Sequence, residues 1–166
     1  VFLMDRFGYA KTVDVAVYER NKEAADQENK YIVHCMNTGK LCLFTADGKM
    51  HQVKVLDLPY GKFRDKGQPI DNVSNYDSTK EEIVFLCDDR QLFYTKFLFT
   101  TKQGMIKKVE GSEFQVSKRT IAATKLQPED ALASVCIVND SQNVVLMTAG
   151  GYALRFTAEE VSDKKK

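Results

Sequence analysis

Short runs of β-branched, aromatic and aliphatic residues, broken every few positions by glycine and small polar residues, set the pattern of this chain. Four glycines, Gly8, Gly48, Gly104 and Gly151, bring it into register. Five positions before each lies a large apolar residue, Leu3, Leu43, Phe99 or Leu146, and three before it a short polar one, Asp5, Thr45, Thr101 or Thr148. Five positions after each comes Val13, Val53, Val109 or Phe156, and ten after it Tyr18, Leu58, Phe114 or Val161. Each unit predicts a β-hairpin, because such residues favour strands and a glycine takes positive φ in the turn without strain. Further apolar runs at 31–36, 83–87 and 132–138 supply one more strand per unit. Only the charged segment 17–27 is a helical candidate, and it is short.

The glycines are separated by 40, 56 and 47 residues, the length of a propeller blade rather than of a single hairpin. The expectation is therefore an all-β domain over residues 1–163, with about four visible blade repeats in an open or incomplete ring. Lys164-Lys165-Lys166 is expected to be a loose basic tail. The absence of tryptophan disfavours WD and kelch propellers.

The pattern apolar-apolar-Thr-x-x-Gly-x-x-Lys-x-Val resembles the blades of the C-terminal domains of bacterial type IIA topoisomerase A subunits, those of gyrase and topoisomerase IV. Its most specific pieces are 43–49 (Leu-Phe-Thr-Ala-Asp-Gly-Lys), 54–59, 66–72, 119–126 and 144–156, and the likeness covers essentially the whole chain. It implies a β-pinwheel whose blades exchange strands and whose positive perimeter bends duplex DNA. Lys and Arg would contact phosphate while sequence is scarcely read. Carried over by motif position, the DNA-binding residues are Lys11, Lys49, His51, Lys107, Lys108 and Arg155 after the turns. Arg64, Lys66, Lys118 and Arg119 in the connections complete the set. The implied partners are double-stranded DNA, the rest of the A subunit and, through it, the ATPase B subunit; no cofactor is expected in this domain.

One departure is specific. Gyrase subunits carry a Gln-Arg-Arg-Gly-Gly-Lys-Gly type box after the first blade, an element tied to chiral wrapping and negative supercoiling. Here the slot reads Glu-Arg-Asn-Lys-Glu-Ala-Ala-Asp-Gln over 19–27, without glycine or net positive charge. The sequence thus resembles a topoisomerase IV type or divergent gyrase-like subunit, expected to capture or bend DNA without a strong positive wrap. With four units where gyrase domains commonly have six, it reads as a shorter pinwheel or an excised fragment.

A formal net charge of +1 gives no strongly basic footprint, but charge comes in blocks. Residues 40–66 hold six Lys/Arg against three Asp and 96–125 seven against two Glu, whereas 71–90 and 128–163 are acidic, so repeated folding would give a bipolar surface. The length suits one core, and no apolar run approaches a membrane span or signal core; a soluble cytoplasmic protein is expected. The four cysteines form no C-x-x-C pair and read as reduced strand residues.

No catalytic chemistry has an anchor. None of the seven tyrosines has an adjacent arginine, so the cleavage tyrosine of a topoisomerase is expected in another domain. The spacing of His34, Cys35, Cys42 and His51 matches no common zinc pattern. Nucleophile elbows and phosphate-binding glycine loops are missing. The rival readings are a protein-interaction propeller and an enzyme with carboxylates converging in a central channel.

Overall fold

The computed structural model describes residues 1–166. All four repeat glycines adopt left-handed φ, between +82° and +84°. Each glycine N–H donates to the carbonyl three residues earlier, at 2.9 to 3.2 Å. The side chain of that earlier residue, Asp5, Thr45, Thr101 or Thr148, accepts the N–H of the residue after the glycine at 3.0 to 3.3 Å. The short polar residue of the repeat is thus the clasp of the turn, which explains why only Asp or Thr stands there.

The first hairpin, β1 (Phe2–Asp5) and β2 (Tyr9–Thr12), is followed by α1 (Val15–Arg20), α2 (Lys22–Glu28) and β3 (Asn29–Val33), which returns to β1. The second hairpin is β4 (Lys40–Thr45) and β5 (Lys49–Lys54). The chain then runs back so that β6 (Gln68–Pro69) pairs with β2 of the first sheet, before β7 (Ile83–Asp88) joins β4. The third unit repeats the manoeuvre. After β8 (Lys96–Thr101) and β9 (Ile106–Glu110), β10 (Thr120–Ala122) is given to β5 and β11 (Leu132–Val138) joins β8. The fourth hairpin, β12 (Asn143–Met147) and β13 (Ala153–Thr157), gives β14 (Asp163–Lys164) back to β9, here in parallel. Three four-stranded sheets and one two-stranded sheet result, each linked to the next by a donated edge strand. The four blades expected from the repeat and the pinwheel implied by the resemblance are observed, with the fourth sheet incomplete. The expected loose tail is corrected at Lys164, which is an edge-strand residue.

β3, β7 and β11 adjoin one another on the inner side, so β6, β10 and β14 form the outer edge. Successive sheets stack face to face. Phe2, Met4 and Ala10 pack on Leu41, Leu43 and Val53 of the second sheet, and Cys42, Phe44 and Met50 pack on Phe97, Phe99 and Val109 of the third. Leu98 and Ile106 meet Val144 of the fourth hairpin. The remaining face of the first sheet, Leu3 and Val13, is covered by Tyr18 and Ala25 of the helices. Asp14 caps α1 by accepting the Ala16 N–H, and the Tyr18 hydroxyl donates to Asp26 at 3.1 Å, binding the two short helices together. The helical candidate at 17–27 is borne out on this basis.

Val13, Val53 and Val109 are buried at equivalent places, while Phe156 is half-buried on the incomplete sheet. Truncating Val109 to Ala is expected to cost about 1–3 kcal/mol through lost burial and an unfilled gap between the second and third sheets. Urea denaturation checks this; a loss too small to measure would mean the sheets do not interlock at that position.

Candidate nucleic-acid interface

In a strand, neighbouring residues point to opposite faces, so the residues three and four after each glycine cannot share one rim. Position +4 faces the next sheet. There Thr12 donates through Oγ1 to the Pro59 carbonyl, Gln52 through Nε2 to the Val116 and Lys118 carbonyls, and Lys108 through Nζ to the Ala158 carbonyl. In three successive blades this side chain grips the connection that carries the donated strand. Lys108 is buried and also pairs with Asp140 at 2.6 Å and Asp163 at 3.4 Å. The expectation of an exposed cation at Lys108 is overturned, because its charge is consumed in fastening the fourth hairpin and β14 to the third sheet.

Position +3 makes different contacts. His51 is buried, with Nδ1 2.9 Å from the Thr120 hydroxyl and Nε2 3.1 Å from Glu81, so it too is removed from any exposed rim. Burial alone would favour a neutral Glu81. Hydrogen bonds from the Asp77 N–H, Lys49 and His51 outweigh it and hold its carboxyl below the ordinary range. Lys107 is half-buried, with Nζ 3.5 Å from the Thr124 hydroxyl, and burial lowers its pKa. Lys11 donates to the Phe63 and Asp65 carbonyls, the latter at 2.7 Å, and thereby holds down the connection that carries Arg64 and Lys66. Lys49 is exposed but pairs with Asp47 at 2.6 Å and Glu81 at 2.9 Å.

The connecting-segment residues behave differently. Arg64, Lys66 and Lys118 are exposed and form no ion pair, and the exposed Arg119 has only Asp57 at 3.9 Å. All four lie on the paths into β6 and β10, at the outer edge. The ammonium of Lys66 stands 4.3 Å from the centre of the Tyr9 ring. Gly67 takes φ of +78°, and a Cβ there would lie 2.4 Å from the Ala10 carbonyl, so this approach to β2 requires glycine. Lys11, Arg64 and Lys66 line one concavity with Arg6, and Arg119 shares a second with Lys40 and Lys54. Lys118 and Lys166 border a third. Arg155 is exposed on the fourth hairpin, away from these groups, with Nε 3.4 Å from Asn143.

The glycine register leaves out Lys40 and Lys54, which face each other across β4 and β5. Their signal is the basic block 40–66 itself. The four cysteines are free thiols, with Cys42 and Cys87 opposite each other on β4 and β7. No group of three or more His, Cys, Asp or Glu is arranged to hold a metal ion, and no helix is long and apolar enough to cross a membrane.

Strand-exchanged blades with a cationic outer edge define a β-pinwheel, and similarity to known proteins specifies which. The model of the DNA gyrase C-terminal domain, a beta-propeller, matches residues 95–139 and 142–166. The DNA gyrase A subunit of Lawsonia intracellularis is 32% identical over 97% of the chain, and that of Chlamydia pneumoniae 36% over 73%. These matches span 21% and 15% of the two relatives, so the chain corresponds to a minor part of their length. A crystal structure of the C-terminal domain of DNA topoisomerase IV superposes with a TM-score of 0.85 at 26% identity, covering 99% of this chain and 53% of that one. A structure of the DNA gyrase A C-terminal domain shares the fold, with a TM-score of 0.62 at 17% identity, over 99% of this chain and 56% of the other. By these matches the chain is similar to the C-terminal domains of type IIA topoisomerase A subunits.

Proposed function

We propose that this chain is the non-catalytic part of a type IIA topoisomerase A subunit that holds and bends duplex DNA along its outer edge. The observation that carries the reading is the placement of Arg64, Lys66 and Lys118, exposed and free of carboxylate partners, on the connections into the donated edge strands. Lys40 and Lys54 stand beside Arg119 on the same course. Such a row neutralises phosphates, releases counterions and offsets part of the elastic cost of bending. Lys107 and Arg155 contribute at most from the side, and His51 and Lys108 act as structural residues. Strand cleavage and ATP hydrolysis belong to the rest of the A subunit and to the B subunit, and the assembly works in the cytoplasm.

The helices α1 and α2 stand in the slot of the gyrase box. Their acidic residues repel phosphate there, which favours capture and bending over a strong positive wrap. Replacing Arg64 and Lys66 together by Ala is expected to weaken binding about equally on unrelated duplexes. The slope of log K against log salt should flatten by about 0.9 for each phosphate no longer neutralised. Anisotropy titrations check this. An unchanged slope would remove these residues from the interface, and selective binding of a polypeptide with no duplex affinity would favour a protein-interaction propeller instead.

A further inference from the structure

The turn of the first hairpin differs from the other three. At the two positions before the glycine it carries Arg6-Phe7, where the other turns carry Ala46-Asp47, Lys102-Gln103 and Ala149-Gly150. Phe7 is 73% exposed and has no place in any core cluster, whereas Phe2, Phe44, Phe97 and Phe99 of the sheets are buried. The guanidinium of Arg6 lies 4.9 Å from the centre of the Phe7 ring. Asp5 makes the turn stiff, because one carboxylate oxygen accepts both the Phe7 N–H at 2.8 Å and the Tyr9 N–H at 3.0 Å. A singly exposed ring is ordinary on a protein surface, but one held at a stiff tip beside a charged concavity is placed to meet a ligand.

The surroundings indicate the chemistry of that ligand. Arg6 and Phe7 border the concavity that also holds Lys11, Arg64 and Lys66, so the tip and the cationic outer edge form one continuous surface. Four cations, Arg6, Lys11, Arg64 and Lys66, stand there against the carboxylates Asp5, Asp65 and Glu28. Two of these carboxylates are turned to the backbone: Asp5 clasps its own turn, and Asp65 accepts the Lys62 N–H at 2.8 Å. Tyr9 and Phe63 are half-buried on this surface, whereas Phe7 is open to solvent with only Arg6 against its ring, so Phe7 is the ring best placed to stack on a ligand.

We infer that Phe7 is a wedge that enters the minor groove of bound duplex and partly unstacks one base step, with Arg6 entering the groove beside it. The inference rests on the duplex-binding reading above and localises the bend to the first blade. Apolar side chains inserted in this way kink DNA by about 20–90°, and arginine suits the negative potential of a narrow minor groove. Pyrimidine–purine steps unstack most readily, so a TA step is the preferred site.

The test uses the chain with a labelled duplex containing one central TA step, probed with permanganate, which oxidises unstacked thymines. Wild type is expected to make the thymines of that step hyperreactive and to shorten the end-to-end distance read by energy transfer. Phe7→Ala should abolish both signals and weaken binding roughly five-fold or more, the effect of removing one ring from a base stack. Its salt slope should stay that of wild type, because the ring touches no phosphate; Phe7→Leu, still a wedge, should keep part of the hyperreactivity. Bound duplex without hyperreactive thymines, or hyperreactivity that survives Phe7→Ala, would overturn the wedge while leaving the duplex-binding reading intact. Tighter binding to single strands than to duplex would also overturn it and make Phe7 a base-stacking platform. No anisotropy change with any duplex would instead sink the duplex-binding reading, and the wedge with it.

Discussion

Phe44→Ala is expected to lower the free energy of unfolding by about 3–5 kcal/mol, more than the other truncations proposed for this chain. Phe44 is fully buried on β4, and its ring meets Phe97 at 5.5 Å, Phe114 at 5.3 Å, Phe85 at 6.0 Å and Phe99 at 6.0 Å between centres. Those partners come from the second sheet, the third sheet and the connection leaving β9, so the ring fills the seam between two blades. Deleting it removes apolar burial, favourable edge-to-face packing and a volume that the stiff sheets cannot close over. Thermal unfolding should show a midpoint lower by roughly 6–20 °C, at about 2–4 °C per kcal/mol for a chain of this size. A loss below about 1 kcal/mol would mean that the seam relaxes or that the blades are held by their exchanged strands alone.

Lys108→Ala should cost about 2–3 kcal/mol, and here stability separates a fastening role from a binding one. Lys108 is buried and donates to Asp140 at 2.6 Å and to the Ala158 carbonyl at 2.9 Å. Truncation removes the buried stem and its hydrogen bonds, leaving the Ala158 carbonyl with the Val161 N–H at 3.1 Å alone, a loss in the range for hydrogen bonds made by a charged group. The two carboxylates are nearly half exposed, so water and Lys96 offset part of the loss. A binding residue would show the opposite profile, with stability kept and salt slope reduced. The expected outcome is a destabilised protein whose duplex salt slope is unchanged, measured below its unfolding transition.

The same cluster gives the variant a pH signature. Hydrogen bonds from Lys108 and Lys96 hold Asp140 below its ordinary value of 3.8, and a hydrogen bond from Lys96 does the same for Asp163 despite opposing burial. For a depressed carboxylate the unfolded chain binds the proton first. The stabilisation is therefore present above about 3.8 and disappears as the pH falls through the lower folded values. Lys108→Ala should narrow the stability difference between neutral and acid solution relative to wild type.

The blade frame was legible because each turn needs a glycine at positive φ and a short polar clasp three residues earlier, and both are local requirements. The buried valines five residues on follow from the two-residue period of a strand. Strand exchange was not legible from the residues themselves, since β6 and β10 are two and three residues long and β6 contains Pro69. Segments that short carry no period, and proline argues against a strand until it is known to lie at an edge. It entered the reading only through the family resemblance.

The candidate site was half legible for a related reason. Exposed cations in the connections, Arg64, Lys66, Lys118 and Arg119, lie where a basic block between strands suggests. His51 and Lys108 were misplaced because a recurring basic residue was read as a rim before its face was assigned. Lys108 lies opposite Leu98, a core residue, and that cross-strand partner places it on an inner face. The acid that neutralises it, Asp140, is 32 residues away in a loop, beyond the reach of any local pattern.

The central claim is that this pinwheel holds duplex DNA through phosphate contacts along its outer edge. Its most direct test is an anisotropy titration of the chain with two unrelated duplexes of about 40 base pairs, each at two salt concentrations. The account predicts saturable binding of nearly equal strength to both duplexes, with a log–log salt slope corresponding to several phosphate contacts at about 0.9 each. No saturable binding at the lower salt concentration, or affinity for one sequence alone that is insensitive to salt, would contradict it.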